Sequence, residues 1–315
     1  MFSKFLDPKN DCAFKRVFGT EKNKDILVHF LNDMIAFPEN GHIRDVKFLK
    51  TSQDPETAAQ KTSVVDILCE DEKGQNYIVE MQVAKDKGFA KRAQYYASKV
   101  YTSQMRMGQE FHDLKEVIFL AIVDFVMFPN KKAYKSDHII LDKESHENDL
   151  KDFSFTFLEL PKFSKEIEQL SNPMEKWAYF FKHAAETSED ELKQLIGRDV
   201  IIEKAYEELN RFRWGEIELL TYEQADMQER VHRGTLEQKF DEGIEIGMER
   251  GMERGIEKGM EMGMERGIEK GKIMEREKFI ADLLEQGVED TVICAAAKLS
   301  LEKLHLLKES ILSKK

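Results

Sequence analysis

Two carboxylates stand where the sequence otherwise reads as buried strand. In VVDILCE (64–70) Asp66 interrupts an apolar, β-prone run, and in IVEMQVA (78–84) Glu80 does the same. An ionised carboxylate among apolar neighbours is unfavourable unless something compensates it. The linker EDEKGQ carries Gly74, which suits a tight hairpin turn. With Glu72, Lys73 and Gly74 as a three-residue loop, Asp71 faces Gln75, and counting outward brings Asp66 opposite Glu80. Directly opposed residues on one sheet face have Cβ atoms about 4.5–5.5 Å apart, where like charges repel. A hard divalent cation reverses that sign, because carboxylate oxygens are the ligands Mg²⁺ prefers. Gln82 shares the face of Glu80 by the period of two, so the set is Asp66, Glu80 and Gln82. The competing reading is an ordinary solvent-facing hairpin; the apolar residues flanking each acid argue against it.

Charge around this hairpin is uneven. The whole chain of 315 residues is acidic, with a net charge of −12, and such a balance argues against a protein that coats nucleic acid generally. From Lys85 to Arg106, however, Lys85, Lys87, Lys91, Arg92, Lys99 and Arg106 face only Asp86. On a helix after the hairpin, Lys91, Arg92, Gln94 and Lys99 are candidate contacts to nucleic acid, with Tyr95 or Tyr96 near the acids. The alternative is a solvated helix face whose tyrosines belong to the core. Other chemistries lack support: there is no phosphate-binding GxxxxGK[ST], no GxSxG and no HExxH. Cys12, Cys69 and Cys294 are far apart and odd in number, which excludes a disulfide framework or zinc knuckle. No apolar run reaches the roughly 20 residues of a membrane span, and Asp7 and Pro8 sit where an export signal needs apolar residues. A cytoplasmic protein without a membrane partner is therefore expected.

The elements that must hold these residues follow from periodicity. Phe14, Val17, Phe18, Ile26, Leu27, Phe30, Leu31 and Met34 predict helix between Asp7 and Ile35, capped by Asn10 or Asp11. Residues 45–51 read as a short strand, 52–61 as a polar loop, and 63–70 and 76–84 as the hairpin. A helix is expected from Phe89 to Gly108, with Ala93, Tyr96, Ala97, Val100 and Tyr101 on one stripe. VIFLAIVDF (117–125) suits a strand covered on both faces; 138–142 and 153–160 are further strands. Helical signals follow at 164–170, 173–186, 189–196 and 198–212. The organisation expected is a core at 1–162, a helical extension at 163–235, a repeat at 236–274 and a small helical unit at 275–315.

From Gly243 to Gly271 a glycine recurs at every fourth position, eight in all, followed by Met or Ile, then Glu, then usually Arg or Lys. Each interior glycine costs a helix about 1 kcal/mol relative to alanine, roughly 8 kcal/mol in total. Pairs such as Arg250 with Glu253 return only about 0.2–0.5 kcal/mol each. Two readings stay open: a flexible, partly helical tether, or an oligomerising helix burying Met248, Met252, Ile256, Met260, Met264 and Ile268. The four-residue period drifts in the right-handed sense and is no leucine zipper. The tail, 275–313, predicts three short helices that suit docking or self-association better than DNA reading.

The order helix, strand, hairpin with Asp66 and Glu80-x-Gln82, helix, strand resembles the core of the PD-(D/E)XK nucleases. More specifically, DPKNDCAFKRVFG, VVDILCEDEKGQNYIVEMQV, RAQYYASKVY and the Gly-x-Glu-Arg repeats resemble the bacterial recombination-promoting nuclease and transposase group (Rpn) over nearly the whole chain. The resemblance implies a restriction-endonuclease-like mixed α/β sheet flanked by helices. It also implies a DNA endonuclease using Mg²⁺ (or Mn²⁺ or Ca²⁺), associated with recombination or transposition. Asp66, Glu80 and the backbone carbonyl of Met81 would hold the ion. Asp11 matches a further acid that this superfamily often adds, unless it merely caps its helix. Gln82 stands where the wider superfamily has lysine, a form the recombination-promoting group shares. An amide orients water but adds no charge, so a slow enzyme is implied. Two non-catalytic alternatives are a DNA-binding or scaffold protein on a silent nuclease fold, and a dimerising regulator working through the repeat and tail.

Overall fold

The helical pattern near the N-terminus is cut in two where Gly19 and Thr20 interrupt it. The first helix, α1 (Asp11–Phe18), is capped by Asn10, whose side chain accepts from the Cys12 N–H at 3.0 Å; the second, α2, covers Lys24–Met34. In α1 the 3.6-residue period turns Ala13, Phe14, Val17 and Phe18 inward and leaves Asp11 and Lys15 together on the outer face. The computed structural model describes residues 3–37, 41–53, 63–105, 108, 110–197 and 199–312. Arg106 of the basic island and residues 54–61 of the expected polar loop lie outside them.

After α2 come β1 (Val46–Phe48), β2 (Ser52–Gln53), β3 (Ser63–Val64), β4 (Ile67–Asp71) and β5 (Asn76–Gln82). Next are α3 (Phe89–Ser103), β6 (Val117–Val123), β7 (Lys135–Ile139) and β8 (Phe153–Glu159). Six strands form one mixed sheet in the order β1-β4-β5-β6-β8-β7, while β2 and β3 make a separate ribbon. The pairs β5–β6 and β6–β8 are parallel and the other three antiparallel. The sheet is the restriction-endonuclease-like mixed α/β arrangement, flanked by helices, that the resemblance implies.

The central strand β6 is buried at all seven positions, as its unbroken apolar run requires. Its even-numbered residues Ile118, Leu120 and Ile122 join the core formed with α1 and α2, and Phe119, Ala121 and Val123 join the one beneath α3. Beyond the sheet lie α4 (Pro173–His183), α5 (Glu189–Ile196) and α6 (Val200–Leu209). Aromatic residues knit α1 and α2 to α4: Phe18 lies 5.0 Å from Phe30, 5.7 Å from Trp177 and 5.5 Å from Phe181, ring centre to ring centre.

Several expected boundaries move. The α3 helix stops at Ser103 rather than Gly108, because the Gln104 side chain both donates to and accepts from the Lys115 backbone at 3.0 and 2.9 Å. The strand expected at 138–142 is β7 at Lys135–Ile139, since pairing with β8 starts at Lys135 opposite Leu158; Ile139, Ile140 and Leu141 remain exposed at the sheet edge. Residues 164–170 form only a 3₁₀ turn at Ile167–Gln169, and 198–212 divides into α6, capped by Asp199, and a 3₁₀ turn at Arg211–Arg213.

Contacts divide the chain into two compact units, Met1–Arg233 and Gly234–Lys315. The repeat lies inside one continuous helix, α7 (Glu216–Glu285), of 70 residues. The first of the three tail helices is therefore the end of α7. The other two are α8 (Asp290–Ala297) and α9 (Leu301–Leu312), which bury Ile293, Ala297 and Leu304 with Ile280. Among the described residues no helix is long and apolar enough to cross a membrane.

Removing a core aromatic deletes transfer energy and leaves a cavity, about 3–5 kcal/mol for a buried phenylalanine. Phe18→Ala should lose that much in a urea titration. A loss under about 1 kcal/mol would mean that α1 is not held by the aromatic cluster.

Candidate active site

The turn chemistry sets the geometry of the acids. Gly74 adopts φ +84°, its N–H donates to the Asp71 carbonyl at 3.1 Å, and the Asp71 N–H donates to the Gln75 carbonyl at 3.0 Å. The hairpin then pairs Glu70 with Asn76 and Ile67 with Val79. One step further along this register Asp66 meets Glu80, at the residue preceding β4. The contact is direct: the Asp66 N–H donates to Glu80 Oε1 at 3.2 Å, and Asp66 Oδ2 accepts from the Met81 N–H at 2.9 Å. Alternation places Glu80 and Gln82 with Ile78 on the α3 side of the sheet, while Met81 faces the α1 core.

Both acids are withdrawn from water. Glu80 is 5 % exposed and the Asp66 side chain 21 %. Burial raises the pKa of Glu80, and the neighbouring Asp66 charge raises it further. Burial also raises Asp66, against the Met81 N–H and the charges of Lys15 and Arg92, which favour its ionised form.

Cations approach from both layers. Lys15 of α1 pairs with Asp11 at 2.7 Å and lies 3.9 Å from Asp66. Burial lowers its pKa, but the hydrogen bond to Asp11 and the charges of Asp11, Asp66 and Glu80 outweigh that, so the net shift is upward. From α3, Arg92 donates to Gln82 Oε1 and to Asp86, and its guanidinium stacks 4.9 Å from the centre of the Phe89 ring. The other amide end of Gln82 donates to the Ala84 carbonyl at 3.0 Å. Both ends of the Gln82 amide thus have protein partners, a use its position in the sequence does not reveal.

The remaining expected residues fall into three groups. Tyr96 feels the charges of Glu80 and Asp66 after burial and Arg92, so it borders the site. Lys91 and Gln94 are exposed on α3, Gln94 bonded to the Ala90 carbonyl, and Lys99 lies over the Tyr95 ring. Asp11 reaches the acids through Lys15. Among the described residues no three His, Cys, Asp or Glu side chains form a metal cluster. The donor set suited to a hard cation is the carboxylate pair, whose mutual repulsion such an ion would relieve. Lys15 is the site residue that spacing alone misses; its only signal is its place four residues after Asp11 on the outer face of α1.

A family model described as PD-(D/E)XK nuclease family transposase matches residues 8–238. The match covers more than half of the chain and includes every residue of the site. No curated protein and no solved structure matches it.

Because both acids have raised pKa values in the fold, the native state keeps protons that the unfolded chain has released above its ordinary carboxylate pKa of about 4. Stability of the metal-free protein should therefore fall as pH rises from about 5 towards about 8. Glu80→Gln preserves the Oε1 acceptor and removes the charge. At about pH 8 it should raise the melting temperature of metal-free protein, by about 2–4 °C per kcal/mol of relieved repulsion, and remove stabilisation by added Mg²⁺. A lower melting temperature would show that the pair does not destabilise the fold.

Proposed function

The chain belongs to the PD-(D/E)XK nuclease transposase family, and on that premise we propose that it is a Mg²⁺-dependent endonuclease. It hydrolyses phosphodiester bonds of cytoplasmic DNA during recombination or transposition of mobile elements. The observation carrying this reading is the opposed pair, Glu80 buried in β5 and Asp66 largely withdrawn from water just before β4, beside the basic helix α3. Such a pair is unfavourable for stability and useful for holding a cation.

Asp66, Glu80 and the Met81 carbonyl would hold Mg²⁺, with Mn²⁺ or Ca²⁺ as alternatives for the same oxygens. When bound, the ion lowers the pKa of a coordinated water and draws charge from the phosphate. The chain's own residues do the rest. The Met81 N–H fixes the rotamer of Asp66, and Arg92, held by Gln82 and Asp86, keeps positive charge on the α3 side. Lys91, Gln94 and Lys99 offer contacts to DNA along α3, supported by their place on the helix that borders the acids. Hydrolysis adds a water oxygen to phosphorus and breaks one P–O bond; the departing oxygen takes up a proton and the attacking water loses one to solvent.

Self-association through α7 is the second part of the proposal. Outside the backbone of the helix itself, a Cβ added at any glycine from Gly243 to Gly271 would meet nothing within 4 Å, so among the described residues no packing contact requires these glycines. Met248, Met252, Ile256, Met260, Met264 and Ile268 are all more than half exposed. Eight glycines that weaken the helix and six uncovered apolar side chains together suit close approach by a second copy.

Incubation of the full chain with supercoiled plasmid and Mg²⁺, Mn²⁺ or Ca²⁺ tests the nuclease reading. Nicking should fall at least about a hundredfold in Asp66→Ala and Glu80→Ala, since even a residue supporting a ligand is worth about 10–100-fold; absence of nicking, or its survival in both variants, sinks the reading. Light scattering tests assembly: the full chain should be dimeric or larger and a chain ending before Gly243 monomeric, whereas equal states would remove the role of the repeat.

A further inference from the structure

We propose that Lys15 is a further catalytic residue whose ammonium, delivered from α1, meets the non-bridging oxygens of the scissile phosphate at the Asp66–Glu80 site. It supplies the positive charge that Gln82 does not. The inference rests on the nuclease reading above and deepens it.

Three observations converge on Lys15. The first is position. Its Nζ is 2.7 Å from Asp11 Oδ1 and 3.9 Å from Asp66 Oδ1, so the ammonium stands at the rim of the carboxylate pair. Its side chain is 43 % exposed, open to an approaching polyanion. The second is the commitment of the other candidates. Gln82 is neutral and bonded at both ends, to Arg92 and to Ala84. Arg92 is tied to Gln82 and Asp86 and stacked on Phe89. The third is rigidity. Phe14 and Phe18 anchor the inner face of α1 in the aromatic core, which fixes the Lys15 Cα, while its flexible four-carbon stem carries the ammonium to the rim of the acids.

The electrostatics give Lys15 two states. Without a divalent cation its charge partly offsets Asp66 and Asp11. With a divalent ion on the carboxylates the ammonium would be released from Asp66, and the oxygens of a bound phosphate, gaining negative charge as the new P–O bond forms, would be its partner. The ammonium transfers no proton in this role; it stabilises charge at a fixed place, the kind of contribution worth about 10²–10³ in rate.

The test uses the full chain with supercoiled plasmid and Mg²⁺, together with calorimetric titration of Mn²⁺ without DNA. Lys15→Met should slow nicking about a hundredfold while Mn²⁺ binds unchanged or roughly threefold tighter, because a half-exposed competing charge has gone. Lys15→Arg should keep a tenth or more of the rate, and Gln82→Lys placed in the Lys15→Met chain should recover at least tenfold. A merely structural lysine gives another pattern: Mn²⁺ affinity falls with the rate and lysine at position 82 does not help, which overturns the inference. Nicking by Lys15→Met at the unaltered rate overturns it too, and leaves the nuclease reading standing. If the unaltered chain does not nick, the nuclease reading has failed and this one with it.

Discussion

The repulsion between Asp66 and Glu80 is the interaction on which the rest of the molecule turns. The hairpin register brings them together, burial deprives them of water, and the Asp66 charge raises the energy of the ionised form of Glu80. A fold selected for stability alone would place an apolar pair there. Instead the surroundings moderate the conflict only in part, with the Met81 N–H on Asp66, Lys15 on one side and Arg92 on the other. Partial compensation is the condition that the proposed cation site needs. Full neutralisation by fixed arginines would leave no place for a divalent ion, and none at all would expel the strand end into solvent.

The architecture gathers the acids and their neighbouring cations where three separately packed elements meet, β5, α3 and α1. Strand β5 is antiparallel to β4 on one side and parallel to β6 on the other, so its C-terminal end lies where the hairpin and the parallel half of the sheet meet. Helix α3 covers that face through Phe89, Ala93, Ala97 and Val100, and α1 is pinned in the opposite core through Phe14 and Phe18. Both helices are held to the sheet by these apolar residues. The apolar stripes behind Lys15 and Lys91 already fix both backbones, which leaves these two cations available for the proposed role.

How much of this was legible in the residues depends on how local the information is. The hairpin register follows from Gly74 and a period of two, so the opposition of Asp66 and Glu80 was readable, as was the fully buried β6. Burial on a single face also made α1 and α2 readable, although the break at Gly19 was not resolved. The partner of Gln82 was not legible, because Arg92 lies ten residues on and meets it only when α3 packs on the sheet. Lys15 was harder still: its closeness to Asp66 depends on how the layer holding α1 registers against the strand end, which no periodicity encodes. At β7 apolar residues misled, since Ile139, Ile140 and Leu141 lie exposed at an edge.

The long helix raises the opposite problem, a regular sequence whose consequence is geometric. Each residue of a helix advances about 100°, so a four-residue repeat overshoots a full turn by about 40°. Across the seven intervals from Gly243 to Gly271 the glycine stripe therefore sweeps roughly 280° around α7. The methionine, glutamate and basic stripes sweep with it, and no side of the helix is apolar along its whole length. Residues one face of a straight partner touches at Gly243 are turned away well before Gly271. A partner that follows the glycines must wind around them in the right-handed sense, opposite to a heptad coil, or else engage only about three repeats before losing the stripe. Glycine is the residue that makes the first course sterically open, since it lets two backbones stay close while crossing continuously. The Glu stripe, with Arg or Lys in most repeats but Ile246 and Met262 in two, then keeps opposite charges within reach along much of the winding. The same repeat that weakens α7 as an isolated helix is thus the arrangement that permits a close and continuous crossing by a second one.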